Sequence, residues 1–256
     1  MNTYIKITIN QILIELTYKF NFILSIISNV IQLMTGIFVW NSIYASNVTI
    51  EKYSFSEIVI YLILTTATGL LFSFEPIFRL GRMIHNGKLN EMLVRPVSIL
   101  GESFAYYTGK KSIFIFIYTM LILIFGINAI EKQLLQIIML LVVNYIMFFM
   151  LISLISTISF WIIEIWPLRP ILNAFYMLLG GIYFPLDLLP DEMYRIIKYN
   201  PFSIVGHFTT RVIQGNYDSR VIKTLTLVSI LYAIIFFILY KRIFKKGLKK
   251  YEGGGN

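Results

Sequence analysis

His85 and His207 are the only imidazoles in this 256-residue chain, and neither has the neighbours that would complete a reactive set. A zinc-dependent hydrolase needs two histidines one helical turn apart with a glutamate between them, and no His-Glu-x-x-His occurs. Cysteine is absent, which excludes disulfides, thiol nucleophiles and cysteine-based metal sites. Gly109-Lys110-Lys111 lacks both the upstream glycine spacing and the following hydroxyl of a phosphate-cradling loop, so ATP cannot be held that way. Ser25, Ser28, Ser153, Ser156 and Ser159 lie in apolar stretches with no histidine to activate them. The expectation is no catalytic residue, no metal site and no cofactor bound by this chain.

Ion-coupled transport would show itself as acids inside apolar segments. Glu75 and Glu164 are the two candidates, each at the end of an apolar run and each expected to pair with a nearby arginine, Arg79 or Arg169, or to reach water. Asn29, Gln32 and Asn144 are the polar side chains deepest within apolar runs, and so the candidates for a substrate pathway. Their competing role is hydrogen bonding between helices, worth about 1 kcal/mol each. His207 is expected to be a local structural residue.

The elements that carry these residues are six long apolar runs: Phe22–Tyr44, Ile58–Phe74, Ser112–Ile130, Gln133–Ile163, Ile171–Leu186 and Thr224–Tyr240. The first is uncharged and long enough, at about 1.5 Å per residue, to cross a hydrocarbon layer of roughly 30 Å. Backbone in lipid must satisfy its own hydrogen bonds, so such runs are helices. The chain is 57% hydrophobic and 14% charged with a mean hydropathy of +0.76, values outside the range of a water-soluble domain. The fold class expected is an all-α membrane protein with six spans and no separate soluble catalytic domain.

A net charge of +9 follows from topology rather than nucleic-acid binding. With the N-terminus inside, most lysines and arginines fall in inner segments, among them Arg79, Arg82, Lys88, Arg95, Lys110, Lys111 and the run Lys241–Lys250. Their attraction to anionic lipid head groups accounts for the excess. Lys6, Glu15 and Lys19 interrupt the first twenty residues and no small-residue cleavage pattern follows, so no cleaved signal is expected.

Residues 1–20 place Ile5, Ile9, Ile12, Leu13, Leu16 and Phe20 on one helical stripe, the pattern of a helix lying along the inner surface. Between spans two and three, segment 81–111 contains Asn86-Gly87, a turn signal, and Pro96, a stop. A short amphipathic helix is expected between them, with Leu89, Met92 and Leu93 apolar and Lys88, Asn90, Glu91 and Arg95 polar. Spans three and four are joined by a tight outer loop around Asn128–Lys132. Span four, uncharged from Gln133 to Ile163, would be about 46 Å long as one helix and must tilt or project. Segment 186–222 holds two short helices: one opened by Pro190-Asp191-Glu192, the other running from Phe202 to Gln214 and capped by Gly215. They form a re-entrant or surface hairpin. A basic tail, 241–256, closes the chain, and its Gly253-Gly254-Gly255 carries no fold information.

Together these features resemble the permease subunits of bacterial type-2 ATP-binding-cassette exporters, in the six-span subgroup. The likeness rests on Gly87-Lys88-Leu89-Asn90-Glu91-Met92-Leu93-Val94-Arg95-Pro96-Val97-Ser98 between spans two and three. It rests also on Gly180-Gly181-Ile182-Tyr183-Phe184-Pro185 followed by Leu189-Pro190 and Asn200-Pro201-Phe202. The resemblance implies that residues 1–20 are a connecting helix. It makes Asn86, Gly87, Lys88, Leu89, Asn90, Glu91, Met92 and Arg95 the coupling surface for a separate ATPase that holds ATP and Mg. It further implies pairing with a second permease, identical or paralogous, and export of a drug, lipid or natural product from a bacterial cell membrane with both termini cytoplasmic. An ion-coupled transporter acting through Glu75 or Glu164, or a lipid-modifying membrane enzyme, are the alternatives.

Overall fold

The computed structural model describes residues 3–46, 52–162 and 164–251, so the Ile163 end of span four and the glycines after Glu252 lie outside the described residues. Helix α1 (Thr3–Thr17) leads directly into α2 (Lys19–Ala45), the first span. The second apolar run is α3 (Phe55–Leu71), opened by a capping box in which Ser54 and Glu57 exchange hydrogen bonds. The chain breaks at Phe72–Phe74, just before Pro76, whose ring cannot donate to a continuing helix, and resumes as α4 (Glu75–His85). Orphaned groups at the break find partners on the next span. The Tyr107 hydroxyl donates to the Leu71 carbonyl at 3.1 Å, and the Lys111 ammonium to the Leu70 carbonyl at 2.7 Å.

After Asn86 and Gly87 (φ 69°) comes α5 (Lys88–Leu93), then α6 (Ile99–Phe125). Helix α6 begins more than three turns before its apolar run, so segment 81–111 is mostly helix rather than loop. The expected loop around Asn128–Lys132 is also helical: α7 (Ile127–Ser156) starts one residue after α6 and kinks at Gln133 (φ −145°). Ala129 makes the difference, since it is buried with Ile137, Phe208 and Val212, and packing holds the turn helical.

The fourth apolar run does not form one straight helix, because α7 gives way to a 3₁₀ turn at Thr157–Phe160. Hydroxyls cause this. Ser156, Thr157 and Ser159 each donate to a carbonyl three residues back, competing with the helical ladder. Span five is shorter than the apolar run containing it: α8 (Leu168–Leu179) has 12 residues, about 18 Å, and cannot cross a bilayer alone. It stops in a Schellman turn. Gly181, at φ +68°, donates to Leu178, and Ile182 donates to Met177.

Helix α9 (Asp191–Ile197) lies beyond this turn, followed by α10 (Pro201–Ser203), a π-helical turn at Ile204–Phe208, and α11 (Thr209–Ile213). The second of the two expected short helices is thus present, ending at Gly215 in a second Schellman turn. Helix α12 (Ser219–Lys250), capped by the Asp218 carboxylate, packs along α7 and carries most of the basic tail as one continuous helix. Among the described residues four helices are long and apolar enough to cross a membrane, and α3 and α8 supply two shorter apolar segments. The protein is an all-α membrane protein, with no strand among the described residues.

Its surface agrees. Ile23, Leu24, Ile27, Ile31, Met34 and Phe38 of α2 are exposed, as are Leu135, Val142 and Leu231, an apolar surface that water would not tolerate. Helix α1 turns its polar side inward: Tyr4, Thr8, Gln11 and Glu15 share one face, and the Thr8 hydroxyl donates to the Ala105 carbonyl of α6 at 3.1 Å. Ile5, Ile9, Leu13 and Leu16, on the expected stripe, stay exposed. The arrangement is the inverse of a helix packed on a water-soluble core, which turns its apolar stripe inward.

Candidate functional site

Two features stand out, both toward the end of the bundle that carries α1, α5 and the basic C-terminal turns. The first is the seat of α5. Leu89 is fully buried in a cluster containing Leu80, Ile84 and Phe160 and flanked by Phe244, Leu248 and Tyr251, and Met92 is nearly fully buried. The Phe160 ring meets Phe244 edge-on at 5.3 Å, so α5, the 3₁₀ turn and the end of α12 form one block. Lys88, Asn90, Glu91 and Arg95 point outward, and Glu91 and Arg95 form an exposed ion pair at 3.9 Å. Asn86 closes α4 and Gly87 opens α5, so Asn86, Lys88, Asn90, Glu91 and Arg95 of the expected set are exposed together, whereas Leu89 and Met92 of that set are buried in the seat and present nothing outward. Leu93 departs from its expected place: it is exposed, as is Val94. A six-residue helix has room for two inward residues at an i, i+3 spacing, and Leu89 and Met92 fill it.

The second feature is a cavity of about 1300 Å³ between α2 and α8, floored by the α3–α4 break and α6. Asn29 and Gln32 line it from α2. The Asn29 amide is turned back to the Ser25 carbonyl of its own helix at 2.8 Å. Asn144 lies elsewhere. It is fully buried, donates to the Thr209 hydroxyl at 2.9 Å and accepts from Ser229 at 2.7 Å, joining α7, α11 and α12. Its position between three packed helices leaves it the interhelical role, away from the cavity.

One end of the cavity is charged. Glu75 pairs with Lys110, which also approaches Glu15 at 3.8 Å. The expected Glu75–Arg79 pair does not form. Both residues face α6, where Arg79 meets Glu102 at 3.0 Å and stacks 4.3 Å over the Tyr106 ring, so these two charges of α4 have separate partners about two turns apart on α6. Glu164 is exposed, and no ion pair joins it to Arg169 among the described residues. Lys110, Lys111 and Glu15 are site residues that the sequence did not single out. Two lysines leading into an apolar run read as ordinary topology charges, and their partners lie on distant segments.

The far end of the cavity is closed by the chain after Gly181, which is tied to α3. The buried Tyr61 hydroxyl donates to the Gly181 carbonyl at 2.5 Å and sits 3.2 Å from His207 Nδ1, which also accepts the Leu186 N–H at 3.3 Å. Thr65 donates to the Ile182 carbonyl. His207 is thus a buried pin between segments. Tyr53 donates to the Asp187 carboxylate, and burial together with that carboxylate pushes its phenol far above the usual range, keeping it a donor at any physiological pH.

A helical bundle with a lipid-compatible surface, a large half-open cavity and an outward helix on a packed seat, with no reactive constellation among the described residues, has the make-up of a membrane permease. The chain belongs to the ABC-2 family transporter proteins: that family's model matches residues 30–255. It is therefore a transport subunit of an ABC-type transporter rather than an enzyme, a family that works with an ATP-binding partner. A comparison with curated proteins finds no match.

Proposed function

We propose that this chain is the permease of an exporter that moves a hydrophobic or amphipathic compound out of a bacterial cell, driven by a separate ATPase subunit that holds ATP and Mg. The observation that carries this reading is the division of α5 into an inner pair, Leu89 and Met92, locked into the bundle, and an outer set, Lys88, Asn90, Glu91 and Arg95, left free. Force applied to the outer set passes through the seat into α4 and α12, and α4 borders the cavity through Glu75, Phe78 and Arg82. A second permease, identical or paralogous, covers the exposed faces of α2 and α8, so that the cavity becomes an enclosed pathway. The α5 end, with both termini, lies in the cytoplasm of the cell membrane's inner side, as the distribution of lysine and arginine supports.

The test is purification of the chain from its native membrane in mild detergent, with mass spectrometry of the companions. A stoichiometric chain with a phosphate-binding loop is expected, and it should be lost when Lys88→Glu and Glu91→Lys are combined. Reversing charges that meet a complementary surface costs several kcal/mol. No ATPase companion, or one indifferent to the reversal, would remove α5 from the mechanism.

A further inference from the structure

Lys111 is a buried cation with no carboxylate of its own. It is 7% exposed and lines the cavity. Its ammonium donates to the Leu70 carbonyl and lies 4.9 Å over the Phe114 ring. Among the described residues no carboxylate oxygen stands within ion-pair distance, because Glu75 and Glu15 are both taken by Lys110. An ammonium has three donors, and the C-terminal dipole of α3 offsets only part of the cost of burying its charge. A lone charge at such a depth marks a functional group by default.

The surroundings reinforce this. Arg82 and Arg169 line the same cavity, both exposed and without an ion pair among the described residues. The lining therefore carries four cations, Arg82, Lys110, Lys111 and Arg169, against two carboxylates, Glu15 and Glu75. Beside this charged end the wall offers aromatic and aliphatic side chains, Phe22, Phe114, Met177 and Ile182, interspersed with the polar Ser25, Asn29 and Gln32. A cationic cluster next to a wall of mixed character complements a molecule with an anionic head and an amphipathic body.

We propose that the cavity takes an amphipathic substrate by its anionic head group, a phosphate or carboxylate, with Lys111 as the counter-charge and Arg82 and Arg169 at the entrance. This deepens the exporter reading and rests on it for the word substrate, but the binding itself needs no ATPase. The two therefore fail separately. A chain that prefers anionic lipid yet co-purifies with no ATPase keeps the site and loses the exporter; the reverse keeps the exporter and loses the site.

The full-length chain in dodecyl maltoside, titrated with phosphatidic acid and with phosphatidylcholine of the same acyl chains, gives the relative affinity of the first bound lipid by native mass spectrometry. Phosphatidic acid is expected to bind about tenfold more tightly or better, the scale of one charge-assisted hydrogen-bonded pair. Lys111→Gln should erase most of that preference, and Lys111→Arg should retain it. Should Lys111→Gln fail to fold, the exposed pair Arg82→Gln with Arg169→Gln should still lower the preference several-fold. Equal binding of the two lipids would overturn the proposal, and so would an unchanged preference in Lys111→Gln, which would leave Lys111 as a cap for α3 alone. Loss of the preference on Lys245→Gln with Lys246→Gln would assign it to surface attraction and overturn it as well. Inorganic phosphate competing as well as phosphatidic acid at equal concentration would show that the anion suffices, and would overturn the amphipathic substrate.

Discussion

Replacing Gly206 by alanine places a methyl group where two backbones cross. The Cβ would stand 2.2 Å from the Gly180 carbonyl oxygen and 3.0 Å from its carbon, and that same oxygen accepts the His207 N–H at 2.9 Å. No side-chain rotation relieves a clash with backbone, so the π-helical turn must withdraw from the end of α8 by about 1 Å or more to restore ordinary contact. That movement stretches the hydrogen bond beyond its working range and leaves two buried backbone groups unpaired. Overpacking of this kind costs about 1–3 kcal/mol, and a buried unsatisfied donor or acceptor about 1–3 kcal/mol more. The sum, about 2–6 kcal/mol, should be read locally first, because His207 also pins Tyr61 and Leu186. Hydrogen exchange over residues 200–214 should accelerate by between one and four orders of magnitude, since about 1.4 kcal/mol corresponds to tenfold. Gly69→Ala is the control, since nothing lies within 4 Å of its added Cβ and a helix interior favours alanine by about 1 kcal/mol. Wild-type exchange and melting in Gly206→Ala, or equal damage from Gly69→Ala, would refute the close crossing as the element that holds the segment after α8.

Leu89→Ala should lower thermal stability by about 2–5 kcal/mol, because the side chain is fully buried in the seat of α5, whereas Arg95→Ala should stay within about 0.5 kcal/mol because its ion pair is exposed; melting in detergent separates them. Gly247→Leu should detach the end of α12 from the seat, since even a Cβ there would lie 2.2 Å from the Phe160 ring, and cleavage of the basic tail by trypsin should quicken while the spans stay folded. Glu75→Gln breaks the pair with Lys110, and transport in proteoliposomes with the ATPase partner should persist; abolition of transport together with its pH dependence would favour ion coupling. Asn144→Leu leaves the Ser229 hydroxyl without its acceptor, while Thr209 still donates to the Ile204 carbonyl, and should cost about 1–3 kcal/mol, with the phosphatidic acid preference unchanged because Asn144 is remote from the cavity.

Much of the fold was legible because lipid and secondary structure impose strong rules. Asn86-Gly87 and Pro96 bracketed α5, and Gly215 ended α11. What misled were positions where neighbours overrode the local pattern. The buried Ala129 kept the α6–α7 connection helical, and the hydroxyls from Ser156 to Ser159 ended a run that composition alone would extend. Of the polar pathway candidates, Asn29 and Gln32 reached the cavity while Asn144 went to a helix junction, and nothing in their immediate sequence contexts separates them.

The sequence by itself determined the membrane class, the number of apolar segments and the place of the short helix α5. Uninterrupted apolar length, charge asymmetry and turn residues are local quantities, legible without a partner. Tertiary structure alone decided the cavity and its charge, since Glu15, Glu75, Lys110 and Arg169 come from four separate helices and one residue's neighbours set its meaning. In water an amphipathic stripe betrays which helical face is buried. In lipid the core-facing and outer faces are equally apolar, so the periodicity that would have located the cavity wall is erased, and only the packing of one helix on another restores the distinction.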